Sequence, residues 1–372
     1  MTDRSFALAL AFLALTCAAC SGNDSPGAST GRFRLGTKPA VRLEPGALSV
    51  KRGRVLAPVA LAGRYLVFMS GELEAEEVSP SLVGKSLGSA RATTLARDVI
   101  PNFGVAAAAG WAVYATGGKP GKPPRLVAVK TDGTDRQVLT DSLIAPIASR
   151  GTAVAWAEQD GDRQRVVARD LATGSDWIAA DIPRCSGGCF RIDAVALADK
   201  GVVFTRGAIG AQPSYVVRRG FSEPKAQRLT VPNDPQPDLV PSSAGALYYV
   251  LSRGWYRWDF GERQPRLTRY TGAAPPQVLG FERDRWFVLR GGACAQRLLV
   301  LGTDGRTLTT TSPPAVSALA GAAKGDCVTL ADLVWTGRQS LTSWFVVPPE
   351  SEEHHENAGL VGVLVAGRTL AR

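Results

Sequence analysis

The sequence predicts an all-β fold, a β-propeller of seven four-stranded blades, with six or eight blades as the alternatives if one repeat is phased differently. Three observations carry this reading. A turn followed by a β-rich run recurs seven times: Gly63-Arg-Tyr-Leu-Val-Phe-Met, Gly110-Trp-Ala-Val-Tyr-Ala, Gly151-Thr-Ala-Val-Ala-Trp-Ala, Gly201-Val-Val-Phe-Thr, Gly245-Ala-Leu-Tyr-Tyr-Val, Asp284-Arg-Trp-Phe-Val-Leu and Gly325-Asp-Cys-Val-Thr-Leu. From Gly63 to Gly325 the anchors average about 44 residues apart, within the ~40–45 residues of a four-stranded blade. The 40 Gly and 24 Pro are scattered, which suits many tight turns, and no helical stripe follows the first 19 residues. A chain of 372 residues would ordinarily divide into two or three domains, but two β-sandwiches would not share one period along its whole length.

Each unit has the same order of parts. An apolar strand precedes the anchor, as in Ala145-Pro-Ile-Ala-Ser, and a third strand follows it, as in Arg125-Leu-Val-Ala-Val-Lys or Arg297-Leu-Leu-Val-Leu. Turns such as Thr131-Asp-Gly133 and Thr303-Asp-Gly305 come next, where Asp-Gly supplies the positive φ that a tight hairpin needs. A more polar fourth strand closes the unit, as in Arg136-Gln-Val-Leu-Thr. Two terminal strands, Ala47-Leu-Ser-Val-Lys51 and Leu360-Val-Gly-Val-Leu-Val-Ala366, compete to complete the seventh blade, and the sequence does not choose between them.

The N-terminus reads as an export signal over residues 1–19: Arg4, an apolar run from Phe6 to Leu15 too short to span a bilayer, then small residues. Cys17-Ala-Ala-Cys20 resembles the bacterial lipobox, departing from it at Cys17, where the family usually has Leu. The resemblance implies that Cys20 becomes a lipidated N-terminus anchored in a bacterial membrane, with an ordinary signal-peptidase cut as the alternative. Residues 20–46 then read as lipidated Cys and flexible tether, and 47–372 as the propeller.

Once Cys17 leaves with the signal and Cys20 takes lipid, four cysteines remain, Cys185, Cys189, Cys294 and Cys327. An even number in an exported protein points to disulfides. Cys185-Ser-Gly-Gly-Cys189 can close a local ring, leaving Cys294 for Cys327. Up-and-down strand order puts Cys294 and Cys327 towards opposite ends of the ring, so their pairing requires either that Cys294 folds down across the blade boundary or that the strand phase shifts by a few residues. Free thiols are the alternative, and the spacing lacks the paired knuckles of a zinc site.

Composition narrows the chemistry. Hydrophobic residues make up 45% and charged residues 20%, which excludes bulk disorder. The net charge of +10 is spread along the chain, so no nucleic-acid partner is expected. With 2 His, both in Glu352-Glu-His-His-Glu356 of an acidic loop, imidazole chemistry is scarce, and neither a metal nor a cofactor is expected. There is no Gly-x-Ser-x-Gly elbow and no His-Glu-x-x-His, so no catalytic residue is assigned. The cluster Gly254-Trp-Tyr-Arg-Trp-Asp-Phe260 puts Tyr256, Trp258 and Phe260 on one strand face and Trp255 with Arg257 on the other. Trp255, Tyr256 and Trp258 are therefore either an aromatic binding surface or packing between blades.

Segments such as Arg125-Leu-Val-Ala-Val-Lys-Thr-Asp-Gly-Thr-Asp-Arg-Gln-Val-Leu-Thr140 resemble the strand-turn-strand half of TolB-like and WD40-like propeller repeats, over roughly residues 56–347. The Ser-Pro-Asp-Gly turn of TolB-like blades and the Gly-His and Trp-Asp marks of WD40 repeats are absent. The resemblance implies a non-catalytic binding or scaffolding module of the bacterial cell envelope, lipid-anchored, with an envelope protein or peptidoglycan-associated component as partner. A carbohydrate-active enzyme, glycosidase or lyase, built from carboxylates on the propeller is the alternative.

Overall fold

The structure, a computed structural model, describes residues 33–36, 47–49, 59–62, 65–70, 80–86, 91–117, 122–183, 190–208, 214–231, 239–250, 254–268, 277–282, 284–291, 295–312, 327–335, 339–347 and 361–369. Among them are seven four-stranded antiparallel sheets. Six are made of consecutive strands and form blades 1 to 6, over residues 59–96, 105–140, 148–183, 190–231, 239–268 and 277–311. The seventh joins both ends of the chain: Cys327–Trp335, Gln339–Val347 and Val361–Thr369 are completed by Ala47–Ser49. The all-β propeller read from the sequence is the observed fold.

The first strand of each blade lies innermost. Val59–Ala62, Val105–Ala108, Ala148–Arg150, Phe190–Ala198, Leu239–Pro241 and Gln277–Glu282 neighbour one another in that order, and Cys327–Trp335 returns to Val59–Ala62. The terminal strands do not compete for one place. Ala47 pairs with Val365, Leu48 with Leu364 and Ser49 with Val363, so the C-terminal strand is third in the blade and the N-terminal strand fourth.

That closure shifts the phase of the last repeat. Six of the anchor runs enter second strands, such as Trp111–Thr116 and Gly201–Ala208. The run after Gly325 instead enters Cys327–Trp335, a first strand, because the outermost strand of this blade comes from the other end of the chain.

The anchor glycines recur for two physical reasons. Ala109 and Gly110 have φ of 49° and 80° between the paired Ala108 and Trp111, a two-residue hairpin with both central residues left-handed. Gly201 and Gly245 lie within strands. A Cβ on Gly201 would run into the Arg219 carbonyl and the Phe260 ring, and one on Gly245 into the Trp258 carbonyl.

The core lies between blades. Alternation along each strand sends side chains to opposite neighbours: Val154 and Trp156 of blade 3 pack against Ala106, Ala108, Val113 and Ala115 of blade 2, while Ala153, Ala155 and Ala157 meet Val202, Phe204 and Val217 of blade 4. Small residues on the inner strands allow the sheets to converge on the axis.

Between blades 4 and 5 the Tyr248 and Tyr256 rings stack at 5.4 Å. Burial, with Tyr256 adding, pushes the Tyr248 phenol well above its ordinary value. The folded chain then keeps this proton where the unfolded chain has lost it. Its contribution is intact below about pH 10 and lost as pH rises from there through the folded value. Tyr248→Phe is expected to flatten the alkaline limb of stability against pH, read from urea midpoints between pH 8 and 11; an unchanged limb would count against it.

Candidate functional site

Strand order gives the ring two different ends. First–second and third–fourth hairpins share one end, here called upper; second–third hairpins and the links between blades share the other. The upper end of the central channel carries its most distinctive charge cluster. Arg150 ends the inner strand of blade 3 and Glu282 ends that of blade 6, and the two are hydrogen-bonded although their blades are three places apart in a seven-membered ring. A second bond runs from Nη2 to Glu282 Oε2 at 3.3 Å, and Nε donates to Asp199 in the upper hairpin of blade 4. The guanidinium thus forms a bar across the channel axis.

Exposure differs among the three groups. The Glu282 side chain is 11% exposed, that of Arg150 23% and that of Asp199 57%. Burial works against the charge on Arg150, but the bonds to Glu282 and Asp199 outweigh it and raise its pKa. The two carboxylates that converge on the axis are therefore fixed as acceptors of one cation. Reading the sequence missed this site: Arg150, Asp199 and Glu282 lie far apart along the chain, and each resembles an ordinary polar residue at a strand end.

The aromatic cluster is packing. Trp258 is 2% exposed in the blade 4–5 interface and Trp255 is 5% exposed in the blade 5–6 interface, so neither ring offers a free surface. The face parity read from the sequence is observed, with Tyr256, Trp258 and Phe260 on one side and Trp255 on the other. Arg218 holds two of these rings, while Tyr256 stacks on Tyr248. The fully buried Arg218 guanidinium lies over Trp258 at 4.7 Å and Phe260 at 5.3 Å. It donates to Gln227 Oε1 at 2.7 Å, to the Glu262 carbonyl at 2.9 Å and to the Asp259 carbonyl. Flat rings stack on the flat cation, whose two terminal nitrogens carry all three of these bonds, while Nε and the Trp258 indole N–H are buried without a hydrogen-bond partner.

Cys20, Cys185, Cys189 and Cys294 lie outside the described residues, as does Glu352-Glu-His-His-Glu356. Cys327 opens the inner strand of blade 7, at the lower end, opposite Val347. This corrects the alignment of the seven runs, which put Cys327 at the start of a second strand. Among the described residues no group of three His, Cys, Asp or Glu could hold a metal ion. No described helix is long and apolar enough to cross a membrane.

Of the stretch 20–46 read as a tether, residues 33–36 are described, and they are docked. Phe33 is 7% exposed between blades 3 and 4, against Trp177 and Phe221.

These features define an all-β propeller whose ring is closed by its N-terminal strand and barred at the upper mouth by an ion pair. No protein-family model matches the chain, and no curated protein matches it. Among solved structures it is similar to a prolyl endopeptidase, with a TM-score of 0.57 and 13% identity over 83% of this chain and 46% of that one. The chain thus spans about half the length of that enzyme. It is also similar to the propeller domain of the Trilobed protease from Pyrococcus furiosus, with a TM-score of 0.55 and 7% identity over 86% of this chain and 96% of that domain. That domain is described as having an open velcro topology, whereas here the first and last strands pair. TolB from Acinetobacter baumannii aligns over 82% of this chain and 80% of its own at 13% identity, with a TM-score of 0.38, too low to carry an argument. At these identities the likeness is one of fold.

Proposed function

We propose that the protein is an exported, lipid-anchored propeller that acts as a binding or scaffolding module in the bacterial cell envelope, with an envelope protein or a peptidoglycan-associated component as partner. The observation that carries the binding role is the state of the channel mouth. Glu282 and Asp199 are both bonded to Arg150, so the carboxylates that a glycosidase or lyase would keep available are held in ion pairs. The anchor rests on Cys17-Ala-Ala-Cys20 and the polar stretch after it.

The test uses the full chain with a C-terminal tag, crosslinked in intact envelopes and recovered by the tag. The expected result is recovery of a defined envelope partner with wild-type protein and its loss with Arg150→Ala. Turnover of a polysaccharide by the purified protein, abolished in Glu282→Gln, would overturn the non-catalytic reading. Cys20→Ser is expected to move the protein from the membrane to the soluble fraction; an unmodified N-terminus by intact mass would defeat the anchor.

The cysteine pairing belongs to the same proposal. Two residues after Cys294, Gln296 Oε1 accepts a hydrogen bond from the Leu330 backbone N–H at 2.8 Å, and Leu330 lies three residues after Cys327. Blade 6 and blade 7 therefore touch at residues that lie two and three positions along the chain from these cysteines. A Cys294–Cys327 disulfide would tie the closing blade to its neighbour, and Cys185–Cys189 would form a local ring. Non-reducing peptide mapping is expected to return both linked peptides; alkylation of Cys294 and Cys327 as free thiols would leave only the local ring.

A further inference from the structure

We propose that the upper cleft between blades 3 and 4 is a docking site for an extended peptide segment of a partner protein, one with an aromatic residue three positions ahead of a glycine, and that the chain's own Phe33-Arg-Leu-Gly36 occupies it as an intramolecular competitor. The site lies away from the channel axis and does not depend on the lipid anchor.

The aromatic end of the cleft is a formed pocket. Trp177 and Phe221 meet edge to face with centroids 4.9 Å apart, and Phe33 lies 4.8 Å from Phe221 and 6.2 Å from Trp177. Leu35 packs against the same cluster. The glycine end is read through the backbone. Gly36 N–H donates to Thr152 Oγ1 at 2.9 Å, and Thr152 N–H donates to the Gly36 carbonyl at 3.2 Å. The Thr152 hydroxyl is itself oriented by donating to Asp170 Oδ2 at 2.8 Å. A Cβ on Gly36 would sit 2.6 Å from Thr152 Oγ1, so the position admits glycine alone without movement.

One further group beside the cleft is left unmet by the present occupant. Arg219, 7% exposed and placed over the Trp177 ring at 5.9 Å, has Nε and Nη1 buried with no hydrogen-bond partner among the described residues. Burial also pushes its pKa down, with the nearby Glu223 carboxylate only partly offsetting this. Buried donors left unmet are unfavourable, and a partner segment that brings a carbonyl or carboxylate oxygen to them removes that penalty. The resident segment has the advantage of its tether instead, an effective concentration on the order of millimolar.

The probe is a fluorescein-labelled peptide of residues 31–37, Gly-Arg-Phe-Arg-Leu-Gly-Thr, titrated into the full chain and followed by anisotropy. Phe33→Ala in the protein empties the pocket, and the peptide is expected to bind this variant at least about tenfold more tightly than wild type, by removal of the tethered competitor. In the peptide itself, Phe→Ala at the third position and Gly→Val at the sixth are each expected to abolish binding, and these variants cannot disturb the fold of the protein. Equal binding to wild type and Phe33→Ala, no binding to either, or indifference to the peptide substitutions would overturn the proposal. So would a concentration-dependent dimer lost in Phe33→Ala, which would assign the segment to a second copy of the chain.

Discussion

Trp156→Ala is expected to lower the stability of the propeller by about 3–5 kcal/mol, among the largest effects of any single truncation in the core. The indole is 1% exposed, and its neighbours across the blade 2–3 interface include Ala106, Ala108, Val113 and Ala115. Short side chains on an inner strand cannot reach into the space a missing indole leaves, so the cavity persists and adds to the lost transfer term. The indole N–H donates to Glu158 Oε2 at 2.8 Å, and that bond is lost too. Trp156→Phe, which keeps most of the volume, is expected to cost less than half as much. Urea midpoints at fixed pH measure both; an alanine variant within about 1 kcal/mol of wild type would show that the blades close over the gap.

Glu282→Ala is expected to cost about 2–3 kcal/mol, below the full penalty of breaking a buried pair because Arg150 keeps Asp199. The loss falls on a cross-ring contact between blades 3 and 6, which nothing local can replace. Arg150→Met combined with Glu282→Leu is expected to be less destabilising than the sum of the two single changes, since no uncompensated charge is left. A double-mutant cycle yields the coupling, expected at about 1–3 kcal/mol; strict additivity would mean that the bar is an incidental surface contact.

The aromatic cluster shows how far a local pattern can be taken. Alternation alone placed Tyr256, Trp258 and Phe260 on one face and Trp255 on the other, and the structure agrees. Whether a face is free or covered is not a local property. Arg218 covers one side from blade 4, and Trp286 and Phe281 cover the other from blade 6. The docked segment 33–36 makes the same point: its small polar surroundings in sequence suggested a tether, and its seat is built by Thr152, Trp177 and Phe221, distant along the chain.

The sequence by itself determined the repeating unit, its length, the strand order within blades 1 to 6 and the all-β class, because these follow from turn chemistry and from alternation over a few residues. Gly110 was legible as a turn since its φ of 80° is a local requirement. Gly201 and Gly245 gave the same signal for a reason only packing supplies, the close approach of a neighbouring strand's carbonyl. Closure was decided by tertiary structure alone. The pairing of Ala47–Ser49 with Val361–Thr369 joins segments about 315 residues apart, and the entropy of so long a loop is offset only once the six blades between them have curved the ends together. That same curvature brings Arg150 to Glu282, which is why the channel mouth could not be found before the ring was seen.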